Sequence, residues 1–548
     1  MSATRLLAAG ALAALALSTT TATTAFAAEP EASSTDPAPA ASDAAPAPAP
    51  APEVAPESTP PAEPAKDVAP AAEAPAESSS VLETAKSVIG KLNLDVGGYL
   101  RFDKRFMVES KDGKLVHPGV PQFPMYHQAF LQLKAKPIDN VEAKISAALR
   151  YYDFMVAKDL YGLQKSEESS PIEALLWEAY VDVYGLGTDR LDLRVGKQRI
   201  AWGTADRFNP TDNLNPLDLT DFMNFGERVP SWAIKADFTI IEEKLAVTGV
   251  LLAGASAVSL PRYASLPIAS AMTSSMQVPE GFPPVTVGNL QVDFKPPAYD
   301  FEHTMQALKA GGNLGGVDWS VSYFHGYMDL PIQTKVKVNS VTPDPNGSFV
   351  LDVTATTELA EEHVLGLDLA GEFLTVGWWA EAALTFPREV KTDYDLSAID
   401  PNLQWNSEVV LRSQPYLKYT VGLDYTMPWG TYLNFQFVQG FFTERSWRNL
   451  DHYFLLTLRH KFFNEKLTIQ AAVVWETDLG AIARGEAYGN IEDNYGVVFT
   501  PEITIKPYDN IDITLGYLGV FTKVAPGNSM TLAMYDEDQA YLKLKASF

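Results

Sequence analysis

From Leu94 to Phe548 apolar and polar residues alternate in segments of about ten, the period of two that sends successive side chains to opposite faces of a strand. Val141, Ala143, Ile145, Ala147 and Leu149 oppose Glu142, Lys144, Ser146 and Arg150; Leu175, Trp177, Ala179, Val181 and Val183 oppose Glu178, Tyr180 and Asp182. The same pattern recurs over Leu417–Tyr425 and Leu467–Trp475. Alternation alone fits a soluble sandwich as well, so the connections decide. Short turns are expected at Pro137–Asn140, Gly185–Arg190, Glu242–Lys244, Gly311–Gly316, Gly371–Leu374, Met427–Gly430, Phe463–Glu465 and Pro507–Asn510. Long connections fall between them, near 105–124, 153–173, 203–227, 254–302, 328–361, 387–413, 443–450, 478–494 and 522–535. Short turns on one rim and long loops on the other are the mark of a membrane barrel. The fold expected is therefore all-β: a transmembrane antiparallel β-barrel of about 18 strands, with 16 as the alternative because the signals around the eighth and tenth strands are weak.

One strand and the loop after it organise the rest. In L-D-L-R-V-G-K-Q-R-I-A-W, Leu191, Leu193 and Val195 share one face and Asp192 and Arg194 the other, until the pattern breaks at Lys197. A bulge at Gly196 would turn Lys197, Arg199 and Ala201 to the polar face and Gln198, Ile200 and Trp202 to the apolar one. Then comes a loop in which Asn209-Pro210 and Asn215-Pro216 set turns and fix one shape. Lys197, Arg199, Asp206, Arg207, Asp212, Asp218, Asp221 and Arg228 are the candidates for a pore constriction, where both charge signs set a field across the lumen. Arg150, Glu178, Asp182 and Arg194 are expected on the adjoining pore wall. The Asp-rich loop favours cations slightly; Asp212, Asn213, Asn215 and Asp218 also offer oxygen ligands to calcium, though without EF-hand spacing.

Composition adds an export route. Arg5, the apolar run Leu6–Leu17 and Ala25-Phe26-Ala27 read as a cleaved signal peptide over residues 1–27. Residues 28–80 are almost wholly Ala, Pro, Glu, Ser and Asp, a disordered periplasmic linker that cannot bury a core. Residues 81–93 form a short helix or lead-in, and 94–548 the barrel. The chain has no cysteine, hence no lipid-attachment thiol, disulfide or thiolate metal site. A formal charge of -26 and unclustered Lys and Arg argue against nucleic acid. Aromatics make up 11% of the chain, and Tyr99, Phe102, Tyr151, Trp202, Trp232, Trp378, Trp429, Phe462 and Phe521 near strand ends suit interfacial girdles.

The last segment, Tyr541-Leu-Lys-Leu-Lys-Ala-Ser-Phe548, places Leu542, Leu544, Ala546 and a terminal Phe548 on one face. Here the chain resembles Gram-negative outer-membrane barrels of the porin type, and G-K-Q-R-I-A-W-G with N-P-T-D-N-L-N-P is similar to segments of uncharacterised porin-like families. The resemblance implies a bacterial outer-membrane site among lipid and lipopolysaccharide, recognition of Leu542, Leu544 and Phe548 by the barrel-assembly machinery, a homotrimer, and a third long loop folded inward. The function expected is passive or substrate-biased diffusion of small hydrophilic solutes. The alternative is a structural or export component that anchors a periplasmic tether or conducts cargo for a partner complex. No H-E-x-x-H or G-x-S-x-G setting surrounds any of the seven histidines, so the chain is not read as an enzyme, and no cofactor is expected. The fourth long loop carries Leu260, Tyr263, Leu266, Ile268, Met272, Met276 and Phe282, apolar residues that need a partner.

Overall fold

The computed structural model describes residues 93–111, 114–116, 126–152, 172–221, 226–259, 285–345, 348–398, 407–447, 449–485, 490–524, 532 and 538–548. The leader, the linker, all but Asn93 of the lead-in and the apolar residues of the fourth loop lie outside them. The barrel strands form one closed antiparallel sheet. Backbone pairing joins nineteen strands, of which the three-residue Lys114–Val116 is only a hairpin extension of Leu94–Lys111, leaving eighteen staves.

Closure is made by the first and last strands. Leu94–Lys111 pairs on one side with Tyr126–Ile138 and on the other with Asp538–Ser547, in register from Tyr99↔Ser547 to Val108↔Asp538. The terminal residue finishes the seam: Phe548 and Gly98 exchange backbone hydrogen bonds of 3.0 Å in both directions. A closed sheet leaves no unpaired edge among the staves, the condition for placing strands in lipid. All eight short connections fall within one residue of the segments that the sequence marks, so the eighth and tenth strands, Met305–Leu314 and Glu361–Phe373, are regular and the count is 18. Four turns are tighter than expected, two of them reversing at Asp139–Asn140 and Asp509–Asn510. In the other two, Gly311 and Gly371 stay in their strands, and the reversals come at Gly315–Gly316 and at Leu374–Thr375, where φ is positive.

The two faces separate as alternation requires. Ile145 is 47% exposed on the outer face while its neighbour Ser146 is 1% exposed on the inner. Phe102, Tyr151, Trp232, Trp429, Phe462 and Phe521 are exposed, as girdle residues should be. Trp202 is not one of them, since it is buried beside Ile200 and Leu214 inside the barrel, and Tyr99 also turns inward.

The bulge expected at Gly196 is absent. Leu191–Gln198 keeps unbroken register with both neighbours, so Lys197 stays on the outer face beside Trp232 while Gln198, Ile200 and Trp202 point inward, the reverse of the expectation. The irregularity belongs to the adjacent strand Ile172–Val183, where Ser146 pairs with Glu178 and Ala147 with Leu176, leaving Trp177 as the extra residue. This slip turns Leu175 and Trp177 to the lumen and Leu176 outward. The Lys197 amine then reaches the Leu176 carbonyl at 2.6 Å, a polar anchor that lets its aliphatic stem lie along the apolar face. Gly196 is required for another reason: its φ is +135°, and a Cβ there would lie 2.3 Å from the Ala179 carbonyl oxygen.

The long-loop rim carries a second sheet of five strands, Val285–Lys295, Ile332–Pro343, Phe349–Glu358, Val390–Asp395 and Ser407–Leu411. Its centre is a hairpin turning at Asp344, as the Pro-Asp-Pro segment suggests. Its flanks are parallel pairings between different loops, packed on Val336, Val338, Leu351, Val353 and Tyr394.

Candidate functional site

The loop from Arg199 to Pro230 enters the barrel. Its root is held by apolar packing of Ile200, Trp202 and Leu214 against Leu252, Met305 and Phe324 of the inner wall, with the Lys309 amine 4.7 Å over the Trp202 ring. Asn215 ties its two legs together: the side-chain oxygen accepts from Ile200 N at 2.8 Å, and the amide donates to the carbonyls of Gln198 and Val229. Arg228 adds a bond to the Asn215 carbonyl at 3.0 Å and an ion pair with Asp212 at 3.4 Å. Burial is the largest influence on Asp212 and pushes its carboxyl up to about 6, with Arg228 offsetting part of the rise.

From this root the loop crosses to the wall around Val376–Pro387. One Glu381 oxygen accepts the backbone N–H of Thr204 and of Ala205, both at 3.0 Å, and the other accepts Thr211 N at 2.8 Å and Thr211 Oγ at 2.7 Å. The approach depends on Gly203, φ +90°, where a Cβ would lie 2.6 Å from that carboxylate. Thr420 Oγ donates to the Phe208 carbonyl, and the Phe208 ring packs on Phe441.

The returning leg is anchored by arginines on the first and third staves. Buried Arg105 is paired with Asp103 at 3.0 Å and with Asp221 at 2.6 Å. Burial alone would raise the Asp221 carboxyl, but Arg105 outweighs it and holds the group at about 2. Arg150 reaches Asp218 at 3.4 Å, and Asp218 accepts from Thr220 N and Oγ at 3.0 and 2.6 Å. The four residues considered as calcium ligands are thus engaged in separate places: Asp212 with Arg228, Asp218 with Arg150, Asn215 with the backbone and Asn213 with the Pro210 carbonyl.

Of the candidate constriction residues, Asp212, Asp218, Asp221 and Arg228 are brought into this framework. Asp206 and Arg207 sit exposed near the far end of the crossing, Arg207 with φ +70°. Arg199 pairs with Glu227 at 3.2 Å, half-exposed, and Lys197 lies on the outer face, away from the lumen. On the wall, Arg194 holds Asp182 at 2.6 and 3.0 Å, Glu178 takes Lys144 at 2.6 Å, and Arg150 joins wall to loop. Arg105 and Asp103 escape a sequence reading that begins the first long loop at 105. The signal is present all the same, since Arg101, Asp103 and Arg105 continue the polar face of a strand that runs to Lys111.

A cavity of about 310 Å³ lies between the returning leg and the wall, lined by Tyr99, Arg101, Tyr126, Arg150, Trp177 and Lys545 together with the anchored loop carboxylates. Arg101 lies 4.8 Å from the centre of the Tyr126 ring, and its Nε and Nη2 are buried without a hydrogen-bond partner. Lys545 stands 4.8 Å over the Tyr99 ring.

A family model described as a protein of unknown function (DUF1302) matches residues 135–258. No curated protein matches the chain. Among solved structures, OccAB3 of Acinetobacter baumannii is similar with a TM-score of 0.45 at 9% identity, covering 83% of this chain and 99% of its own. OccK9 (OpdG) of Pseudomonas aeruginosa has a TM-score of 0.44 at 11% identity, covering 83% and 98%. OpdK of the same organism, solved with vanillate, has a TM-score of 0.43 at 10% identity over the same shares.

Proposed function

We propose that this chain is an outer-membrane channel for small hydrophilic solutes, narrowed by the loop 199–230 and biased toward small anions. The observation that carries the reading is the course of that loop: it is held to Glu381 on one side of the lumen and to Arg105 and Arg150 on another, so what passes must pass beside it. The cleaved leader, delivery to the outer membrane and recognition of Leu542, Leu544 and Phe548 by the assembly machinery belong to the same proposal; all three of those residues follow the outward face of the closing strand.

The anion bias revises the cation preference taken from the Asp-rich loop. Asp212, Asp218 and Asp221 are each matched by an arginine, and a matched carboxylate offers little field to a passing ion. Arg101 lines the cavity with no ion pair to a carboxylate among the described residues, so its charge is the one an entering anion meets. Replacement by Arg101→Gln should lower the anion-to-cation permeability ratio severalfold while conductance for neutral solutes stays near wild type. Reversal potentials in a KCl gradient, with liposome swelling in a neutral sugar alongside, measure this; an unchanged ratio removes Arg101 from the selective path.

A further inference from the structure

We propose that the outer face of the barrel, at its long-loop rim, holds a divalent transition-metal site formed by His325, His363 and Glu361. His325 and His363 are directly opposite in the pairing of Val317–Tyr327 with Glu361–Phe373, and Glu361 is two residues before His363 on the same face. Tyr323 and Leu365, further along that face, are exposed, whereas the intervening Phe324 and Val364 are buried, so the three groups project outward. The imidazole rings stack with centroids 4.5 Å apart and planes 14° from parallel. One nitrogen of each ring and a Glu361 oxygen all lie within 4.8 Å of one another, and His325 Nε2 is already 2.9 Å from Glu361 Oε1.

The chemistry of the set selects the ion. Two neutral imidazoles and one carboxylate are the donors of zinc, nickel and copper sites rather than of magnesium or calcium, which prefer all-oxygen shells. Bonds of about 2.0–2.2 Å place tetrahedral ligands about 3.3 Å apart, so side-chain rotation of roughly 1 Å closes the site without moving the strands. Orientation is partly set beforehand: Tyr323 OH lies 2.8 Å from His363 Nδ1, the kind of outer partner that fixes a ligating ring. Arg388, 3.8 Å from Glu361, is the one cation that competes among the described residues, and at 74% side-chain exposure it is free to swing away. Three protein ligands leave a position open to the outside. Both strands lead into the five-stranded rim sheet, His325 ahead of Ile332–Pro343 and Glu361 after Phe349–Glu358, so a bound ion would tie together the two staves that carry it.

The test is calorimetric titration of EDTA-stripped, detergent-purified full-length barrel with Zn²⁺, and with Cu²⁺ for spin resonance. One ion per chain is expected, with the Cu²⁺ spectrum showing coupling to two imidazole nitrogens. His363→Ala and, separately, Glu361→Gln should each weaken binding by tenfold or more, and His325→Gln should remove one nitrogen coupling. Both His363 and Glu361 are on the rim, so the variants should keep the heat-dependent gel shift of a closed barrel, which checks that they are folded. No binding to wild type, or binding unchanged in folded His363→Ala and Glu361→Gln, overturns the proposal.

Discussion

Deleting residues 203–227 and joining Trp202 to Arg228 through a short Gly-Ser bridge is expected to raise single-channel conductance severalfold and to flatten discrimination by solute size. The loop occupies the lumen by specific bonds rather than by crowding: Glu381 gathers four donors from it, and Asn215 keeps its legs together. Taking it out removes material from the cross-section while the wall keeps its own inter-strand ladder. The staves should survive, since none of the eighteen depends on the loop for its pairing. Planar-bilayer recording of wild type and deletion side by side is the check; equal conductance from two folded barrels would take the loop out of the solute's path.

Arg105→Met is expected to cost about 3–5 kcal/mol, the range for leaving a buried charge without its partner. The side chain is enclosed between Asp103 and Asp221, and both carboxylates would remain after its loss. The penalty should fall first on the returning leg of the loop, which is tied to the first stave through Asp221, so currents should become noisy before the barrel itself unfolds. Neutralising the carboxylates as well, with Asp103→Asn and Asp221→Asn, should recover only part of the loss, because the two carboxylates no longer stand without Arg105 but Lys543 and Arg101 then lose the same countercharges. Proton linkage gives a check of sign. The Asp221 carboxyl is held at about 2 against an ordinary 3.8, so its contribution is fully present above about pH 4 and fades as pH falls toward 2. The Asp221 tie should thus add no current noise between pH 7 and 5, the range in which Asp212 at the loop's root takes up its proton. Urea midpoints and current noise for the single and triple variants measure the effect; a single variant as stable and quiet as wild type contradicts it.

The barrel was legible in the sequence because its information is local. Nearly every turn is marked by its own Gly, Asn, Asp or Pro, and each stave by its own alternation, so eight turns and the closing Phe548 could be placed one at a time. Facing was harder where two irregularities lie side by side. The break at Lys197 looks like a bulge in its own strand, but the extra residue is Trp177 next door, and Lys197 keeps an outward place by reaching the Leu176 carbonyl. That compensation involves two segments about twenty residues apart, and neither one reveals it alone. Of the rim sheet only the central hairpin at Asp344 was legible, since parallel pairing of Val285–Lys295 with Phe349–Glu358 joins two loops whose hydrophobic patterns say nothing of each other.

The loop's residues were found more readily than their roles. Asp212, Asp218 and Asp221 stood out as charges for solutes, yet they are matched to Arg228, Arg150 and Arg105 in turn, and charge sequence alone cannot tell a matched carboxylate from a free one. Glu381, between Ala380 and Ala382, falls on the polar face of its own alternating segment, but its role as the loop's anchor depends on a contact spanning 170 residues.

A barrel that conducts past an inward loop should give steady ohmic steps when the refolded full-length protein is recorded at single-channel level in a planar bilayer. Under a salt gradient the sign of the reversal potential should report anions moving ahead of cations. A folded barrel that inserts and carries no current would contradict this reading of the molecule.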